Sequence, residues 1–202
     1  MNEVKQPLTH RQRQALATQQ VIVDAARSLF LEQGYGATTI DAISLKAGVA
    51  VSTVYAVFKN KRGILKAIRE EWHQQSGQRT IYSQALTEMD APKRLEMAAH
   101  ATRMQWETGA IMIAIYKSAA EVDAEAAAEQ QEALAGRRRN MGIFIAETLP
   151  LLRSDLTLQK AQDLFYALTL SEIYQNLVGQ SGWSADEYEA WLAQTLKQQL
   201  LA

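Results

Sequence analysis

The chain has 202 residues, of which 48% are hydrophobic and 21% charged, a composition that excludes a disordered chain and fits one large domain or two small ones. It contains no cysteine, which excludes disulfides, thiol redox chemistry and cysteine-ligated metal sites. No apolar run approaches the roughly 20 residues that cross a bilayer, and the N-terminus has no apolar signal core. We therefore expect a soluble, cytoplasmic protein with no membrane partner, no cofactor and no metal site.

Charge is distributed unevenly along the chain. Residues 1–72 carry ten Lys/Arg and six Asp/Glu, a net charge of +4, whereas the remaining 130 residues carry 11 and 16, a net charge of −5. Clustered basic residues bind nucleic acid by releasing counterions. The first part is thus a candidate for contact with a polyanion, although its charge equally suits a solvated surface.

Hydrophobic residues recur at helical spacing, and strand patterns never exceed a few residues. The spacing predicts a first helix over residues 15–33, with Gly34 placed where a C-terminal glycine cap is expected. A second, short helix is predicted over residues 39–48, because a threonine suits an N-cap and a glycine ends it. A third follows over residues 51–58. Two short helices joined by a glycine-containing turn form a helix-turn-helix.

The third helix has two distinct sides. At 100° per residue, Val54, Val57 and Phe58 are predicted to face inward, whereas Ser52 and Ala56 point away. Small and hydroxyl-bearing side chains on the outward side let a helix approach the floor of a DNA major groove.

The remaining chain is also predicted to be helical. Asn60 is expected to cap a fourth helix that begins at Lys61 and runs through Trp72, and residues 76–91 are interpreted as a linker. The polar leader, residues 1–14, is predicted to be a mobile terminus, with an arm in the minor groove as the alternative use of Lys5, His10, Arg11 and Arg13. The further predicted helices are 92–108, 110–122, 124–148, 157–180 and 184–201, with breaks at Gly109, Pro150 and Ser181-Gly182.

One stretch carries a family resemblance. "LFLEQGYGATTIDAISLKAGVAVSTVYAVFKNKRGIL", residues 29–65, resembles the DNA-binding region of the tetracycline-repressor (TetR) family of bacterial transcription regulators. The resemblance implies an all-α fold, with a helix-turn-helix domain at 15–72 and a helical-bundle ligand-binding and dimerisation domain at 73–202. The residues that it places at the DNA are Thr39, Lys46, Val51, Ser52, Thr53, Tyr55, Ala56, Val57 and Lys61.

Two features of this stretch depart from the family pattern. Ala50 stands where a serine commonly caps the recognition helix, so a cap worth roughly 1 kcal/mol is absent unless Ser52 or water replaces it. The helix also lacks Arg, Asn and Gln, which make bidentate pairs with guanine or adenine. We therefore expect modest base-edge discrimination, with readout through thymine methyl groups and DNA shape.

The C-terminal part holds two candidate sets of functional residues. In the resembling family the last two main helices pair with their copies, which makes Leu168, Tyr174, Leu177, Trp191, Leu192 and Leu196 candidates for a homodimer interface, a monomer core being the alternative. Aromatic, methionine and histidine side chains suit an effector pocket or an ordinary core. These effector candidates are His100, Met104, Trp106, Met112, Tyr116, Phe144, Phe165 and Tyr166. The Arg137–Arg139 run is interpreted as a solvated, ion-paired helix face.

Three classes of function follow. The leading interpretation is a ligand-responsive, dimeric repressor that leaves a palindromic operator in double-stranded DNA when a small, largely apolar effector binds. An enzyme is disfavoured, because the sequence shows no nucleophile triad, phosphate-binding glycine loop or metal-ligand spacing. A helical adaptor that binds protein through its first domain is the third class, and weak salt dependence would distinguish it.

Overall fold

The structure is a computed structural model of the chain, and it describes residues 9–148 and 152–201. These residues form helices and no strand, which confirms the all-α class. They divide into two compact units. The head unit comprises the described residues up to Glu70 together with Ile111–Ala127, and the body unit comprises Glu71–Ala110 and the described residues from Ala128 onward. The predicted domain boundary, between residues 72 and 73, did not anticipate that Ile111–Ala127 belongs to the head unit.

The helix bounds agree with most of the predicted ones. No single helix within the described ranges is long and apolar enough to span a membrane. In chain order the helices are α1 (His10–Ala37), α2 (Ile40–Ala47), α3 (Val51–Phe58), α4 (Lys61–Ser76), α5 (Gln78–Thr87), α6 (Ala91–Glu107), α7 (Ala110–Val122), α8 (Ala124–Thr148), α9 (Leu158–Leu168), α10 (Ser171–Tyr174), a π-helical turn (Gln175–Gln180) and α11 (Ala185–Leu200).

The first helix begins earlier than predicted. Thr9 caps it by accepting a hydrogen bond from the Gln12 N–H, while the Gln12 side chain accepts one from the Thr9 N–H. This capping box starts the helix at His10 and not at residue 15 as predicted. Lys5 lies outside the described residues, as does the predicted break at Pro150. The helix is interrupted at Gly34, whose φ of 83° belongs to the left-handed region, where a cap glycine was predicted.

The predicted linker at residues 76–91 is wrong, because α5 occupies most of it. Gly77, at φ 64°, separates α4 from α5 in one residue, and Asp90 caps α6 by accepting a hydrogen bond from the Lys93 N–H. The turn-forming residues of this segment therefore stand at helix ends, and buried Ala85 anchors the helix between them.

The single helix predicted over residues 157–180 is broken at Thr169. The Thr169 hydroxyl donates back to the Phe165 carbonyl at 2.8 Å, and the Thr169 carbonyl accepts hydrogen bonds from Trp106 and Arg137. Tertiary donors thus replace the helical hydrogen bond at this point, and the chain continues as α10 and the π-helical turn.

Arg94 is a buried charge that stabilises the body unit. The side chain is 5% exposed and donates to the carbonyls of Glu88 at 2.9 Å, Glu147 at 3.0 Å and Leu86 at 3.1 Å. Arg94→Met removes every one of these donors and leaves three partly buried carbonyls without this partner, so we expect a loss of about 2 kcal/mol in the free energy of unfolding. Urea denaturation measures it. Arg139→Met, at an exposed position of α8, is the control and should change stability by less than about 0.5 kcal/mol.

Candidate functional sites

The second and third helices form a helix-turn-helix. Thr39 caps α2 by accepting a hydrogen bond from the Ala42 N–H, and Gly48 ends it in the left-handed conformation, with its N–H directed at the carbonyls of Ser44 and Leu45. The axes of α2 and α3 differ in direction by 107°. This angle is typical of the motif and leaves one side of α3 free of its neighbours.

The third helix presents a small outward face to solvent. Val54 and Phe58 are buried in the head core, as predicted, while Ser52 and Ala56 are exposed. Val57 was predicted to face inward, but it is 41% exposed, because the core closes around the Val54 and Phe58 side alone. The exposed or half-exposed side chains of this face are Val51, Ser52, Thr53, Tyr55, Ala56 and Val57.

The start of this helix lacks a side-chain cap. Ala50 takes an extended conformation and no side chain caps the first turn, so Ser52 does not replace the missing serine. The backbone N–H groups at an uncapped helix start favour an anion such as a phosphate.

Lys46 on α2 is held by α1. Its ammonium donates to Glu32 Oε1 at 2.7 Å and to Ser28 Oγ at 2.6 Å. Hydrogen bonds from Lys46 and Ser28 lower the pKa of the Glu32 carboxyl, which stays ionised at neutral pH. A phosphate contact by Lys46, as the resemblance implies, would compete with this exposed ion pair.

Lys61 occupies the end of α1. Its ammonium donates to the carbonyls of Tyr35 at 2.6 Å and Thr38 at 2.9 Å, and it lies 4.1 Å from the centre of the Tyr35 ring. Burial lowers the pKa of Lys61, although the charge of Asp123 opposes the shift. An ammonium has three N–H groups, so the two carbonyls leave one donor for a phosphate oxygen.

The effector candidates lie in both units. Met112 and Tyr116 pack in the head core, and the Tyr116 hydroxyl donates to the Leu65 carbonyl at 3.3 Å. The other candidates lie in the body unit, so the eight residues are divided between the two units. There His100 is paired with Glu189 at 3.0 Å, and Met104 is half-buried.

Two candidates, Trp106 and Tyr166, flank a side chain that was predicted to lie in solvent. The guanidinium of Arg137 lies 5.1 Å from the Trp106 ring and 5.4 Å from the Tyr166 ring. Phe144 and Phe165, with ring centres 5.4 Å apart, are buried in the same unit. The interpretation of Arg137 as a solvated residue is therefore wrong. Consecutive helical residues differ by 100°, so three arginines in a row cannot share one face.

The dimer candidates differ in accessibility. Leu192 and Leu196 are 0% exposed in the single chain, and Tyr174 is 9% exposed and packs edge-on against Tyr188. These three are core residues of the single chain, because Leu192 and Leu196 lie on the buried side of α11 and Tyr174, on α10, packs against Tyr188 of that helix. The partly exposed candidates are Leu168, Leu177 and Trp191.

Comparison of the sequence with known families gives the same assignment as the helix-turn-helix geometry of the first three helices. Residues 22–68 match the family profile described as bacterial regulatory proteins, tetR family. The chain carries a TetR-family domain. This TetR-family domain is similar to the Transposon Tn10 TetC protein of Escherichia coli, with 47% identity over 58 residues. The match spans 29% of this chain and 29% of that relative.

Solved structures share the fold over 88 to 92% of the chain. The complex of SmeT with triclosan superimposes with a TM-score of 0.73 at 21% identity, over 92% of each chain. SmeT represses a multidrug efflux pump of Stenotrophomonas maltophilia. FadR of Bacillus subtilis in complex with stearoyl-CoA superimposes with a TM-score of 0.66 at 18% identity, over 88% of this chain and 96% of that one. These likenesses establish the fold of the matched part of the chain outside the TetR-family domain.

Asp123 connects the TetR-family domain to the returning segment of the head unit. Its carboxylate accepts hydrogen bonds from the Ala126 N–H at 3.1 Å and the Tyr35 hydroxyl at 3.2 Å, and Arg62 lies 3.6 Å away. Burial raises the pKa of Asp123, but these hydrogen bonds and the Arg62 charge outweigh it, so the pKa is lowered. Sequence reasoning missed this junction, because Tyr35 and Arg62 are some 60 to 90 positions away from Asp123 along the chain.

A lowered carboxyl pKa predicts a pH dependence. Ionised Asp123 contributes stability above the pKa of the unfolded chain, about 3.9, and the contribution is lost as the pH falls through the folded-state pKa. Asp123→Asn keeps the acceptor for Ala126 but loses the charge, so we expect a loss of about 1 kcal/mol at neutral pH. The difference from wild type should narrow in acid. Urea denaturation at about pH 7 and about pH 3 measures it, and a constant difference would contradict the assignment.

Proposed function

We propose that the chain is a dimeric, cytoplasmic repressor that leaves a palindromic operator when a small, largely apolar effector binds. The exposed outward face of α3 carries this proposal. It places small and hydroxyl-bearing side chains where a recognition helix meets base edges, on a domain whose sequence matches the TetR family.

The side chains on the outward face of α3 determine how the helix recognises DNA. Ala56 and Val57 offer methyl groups to thymine, and the hydroxyls of Ser52, Thr53 and Tyr55 reach phosphates or base edges. No guanidinium or carboxamide on α3 makes a bidentate pair, so the shape of the DNA carries much of the specificity. Thr39, Lys46 and Lys61 lie on the adjoining helix ends. Lys46 exchanges Glu32 for a phosphate, whereas Lys61 uses the N–H that its two carbonyl partners leave free.

A twofold pair would place two recognition helices about one DNA turn apart, roughly 34 to 36 Å, and read an inverted repeat. Leu168, Leu177 and Trp191 support a homodimer, because apolar side chains left partly exposed on α9, the π-helical turn and α11 are available to a second copy. An interface that leaves them exposed would contradict this assignment.

Effector release requires only that the ligand prefer a conformation with displaced recognition helices. The aromatic side chains of the body unit, two of which flank Arg137, support a ligand site there, and the structural neighbours SmeT and FadR were solved with triclosan and stearoyl-CoA. Neither ligand is assigned to this chain.

The proposal is tested on the DNA next to the coding sequence of the protein. Inverted repeats found there are labelled and titrated with purified protein in a mobility-shift assay, with a scrambled repeat as the control. We expect a discrete shift of the native repeat alone. Single G·C replacements across the site should each weaken binding modestly; if replacements at contacted guanines each abolish it, the reading through shape and methyl groups is wrong.

A further inference from the structure

Arg137 extends the buried side of α8. Met141, Phe144 and Thr148 follow it at helical spacing, and each is at most 6% exposed. Its Nη2 donates to the Thr169 carbonyl, where α9 ends, so the charge lies at the negative end of a helix. Within the described residues, Arg137 has no carboxylate in ion-pair contact.

Two polar atoms of this region are buried without a partner. Arg137 Nε has no acceptor, and the hydroxyl of Tyr188, a residue that is 0% exposed, has neither donor nor acceptor. Tyr188 lies on α11, which packs against α6, the helix that carries Trp106 beneath the Arg137 guanidinium. Burial raises the pKa of Tyr188, which keeps its hydroxyl protonated as a donor. Leaving such a group unsatisfied costs about 1–3 kcal/mol, so each requires an explanation.

The surroundings of these atoms are aromatic. Trp106 and Tyr166 flank the guanidinium, while Phe144 contacts both Phe165 and Tyr82 with ring centres 5.4 Å apart. The rings come from α5, α6, α8 and α9, and Tyr188 comes from α11. A ligand with an apolar body and one acceptor group would match this combination of rings and unpaired donors.

We infer that the effector is an organic acid whose carboxylate accepts hydrogen bonds from Arg137 Nε and the Tyr188 hydroxyl, with its apolar body among these rings. The inference rests on the proposed ligand response and narrows the class of ligand. A charge-assisted pair between a carboxylate and a buried guanidinium is stronger than a neutral hydrogen bond, so the acid is distinguished from an alcohol of the same body.

The test compares dodecanoate with dodecanol and naphthoate with naphthylmethanol, each titrated into the full-length protein by calorimetry. We expect at least one acid to bind about tenfold more tightly than its alcohol. Tyr188→Phe removes the unpaired hydroxyl alone, so it should leave the unfolding temperature unchanged or raised while reducing the preference for acid about fivefold. Arg137→Met should abolish the preference, and Arg139→Met, at an exposed position of the same helix, should retain it.

The outcomes separate this inference from the proposed function. Equal binding of acid and alcohol, no binding by either acid, or a preference that Tyr188→Phe and Arg137→Met leave intact would overturn the inference. A mobility-shift assay without ligand is run in parallel. Acid binding by a protein that has no operator preference would uphold the site but refute the repressor, whereas operator binding without acid preference would refute the site alone.

Discussion

An Ala56→Glu variant should lose operator binding by about 100-fold or more while it unfolds at the wild-type temperature. Ala56 is exposed in the middle of the outward face of α3, so a longer side chain meets nothing within the protein. In a DNA complex the same side chain would displace the helix from the groove and place a carboxylate among phosphates, which costs both contacts and electrostatic attraction. The measurement is fluorescence anisotropy with the inverted repeat, together with thermal unfolding of the free protein.

The matched control for this substitution is Ala135→Glu, which makes the same change of charge at an exposed position of α8. It should bind the operator within about twofold of wild type, since residue 135 belongs to α8 and not to the outward face of α3. Equal loss in both variants would show that net charge, and not the face of α3, controls DNA binding.

A Gly63→Ala variant should lose about 3 kcal/mol or more of the free energy of unfolding. A Cβ at residue 63 would lie 2.0 Å from the carbonyl oxygen of Phe58, a backbone atom that cannot rotate away. The turn before it is already tight, because Lys59 takes a φ of 65° and the Asn60 N–H donates to the same carbonyl at 2.7 Å. The added methyl therefore forces α3 and α4 apart, and operator binding should fall with stability.

Urea denaturation followed by circular dichroism measures this loss, and Gly136→Ala is the control. A Cβ at residue 136 would meet only the flexible end of Arg139 at 3.6 Å, inside the long helix α8. That variant should be stabilised by up to about 1 kcal/mol, because alanine restricts the unfolded chain more than glycine does. A Gly63→Ala protein as stable as the wild type would show that the turn relaxes without cost.

The helix-turn-helix could be predicted from the sequence because local signals define it. The Thr39 cap, the Gly48 stop and the Asn60 cap each act within a few residues of their partners, and the structure confirms them; the Asn60 side chain accepts from the Gly63 N–H at 2.9 Å. The orientation of Val57 depends on how the core closes, which a helical wheel does not contain.

Long-range contacts account for what the sequence analysis missed. Lys61 bonds to carbonyls 23 and 26 positions away, and the break at Thr169 depends on donors 32 and 63 positions away. Arg137 did leave a signal, since it continues the buried spacing of Met141, Phe144 and Thr148 on α8. The charge of Arg137 nevertheless led to the prediction that it is solvated, because arginine is seldom found on the buried side of a helix.

The central claim is that a symmetric pair of chains presents the outward faces of α3 to successive turns of a duplex. Its most direct measurement is the affinity and stoichiometry for the inverted repeat, titrated at a series of salt concentrations. We expect two chains per repeat and an affinity that falls linearly with salt on logarithmic axes, with a slope that counts several phosphates. A monomer that binds the repeat and its scrambled control equally at moderate salt would contradict the claim.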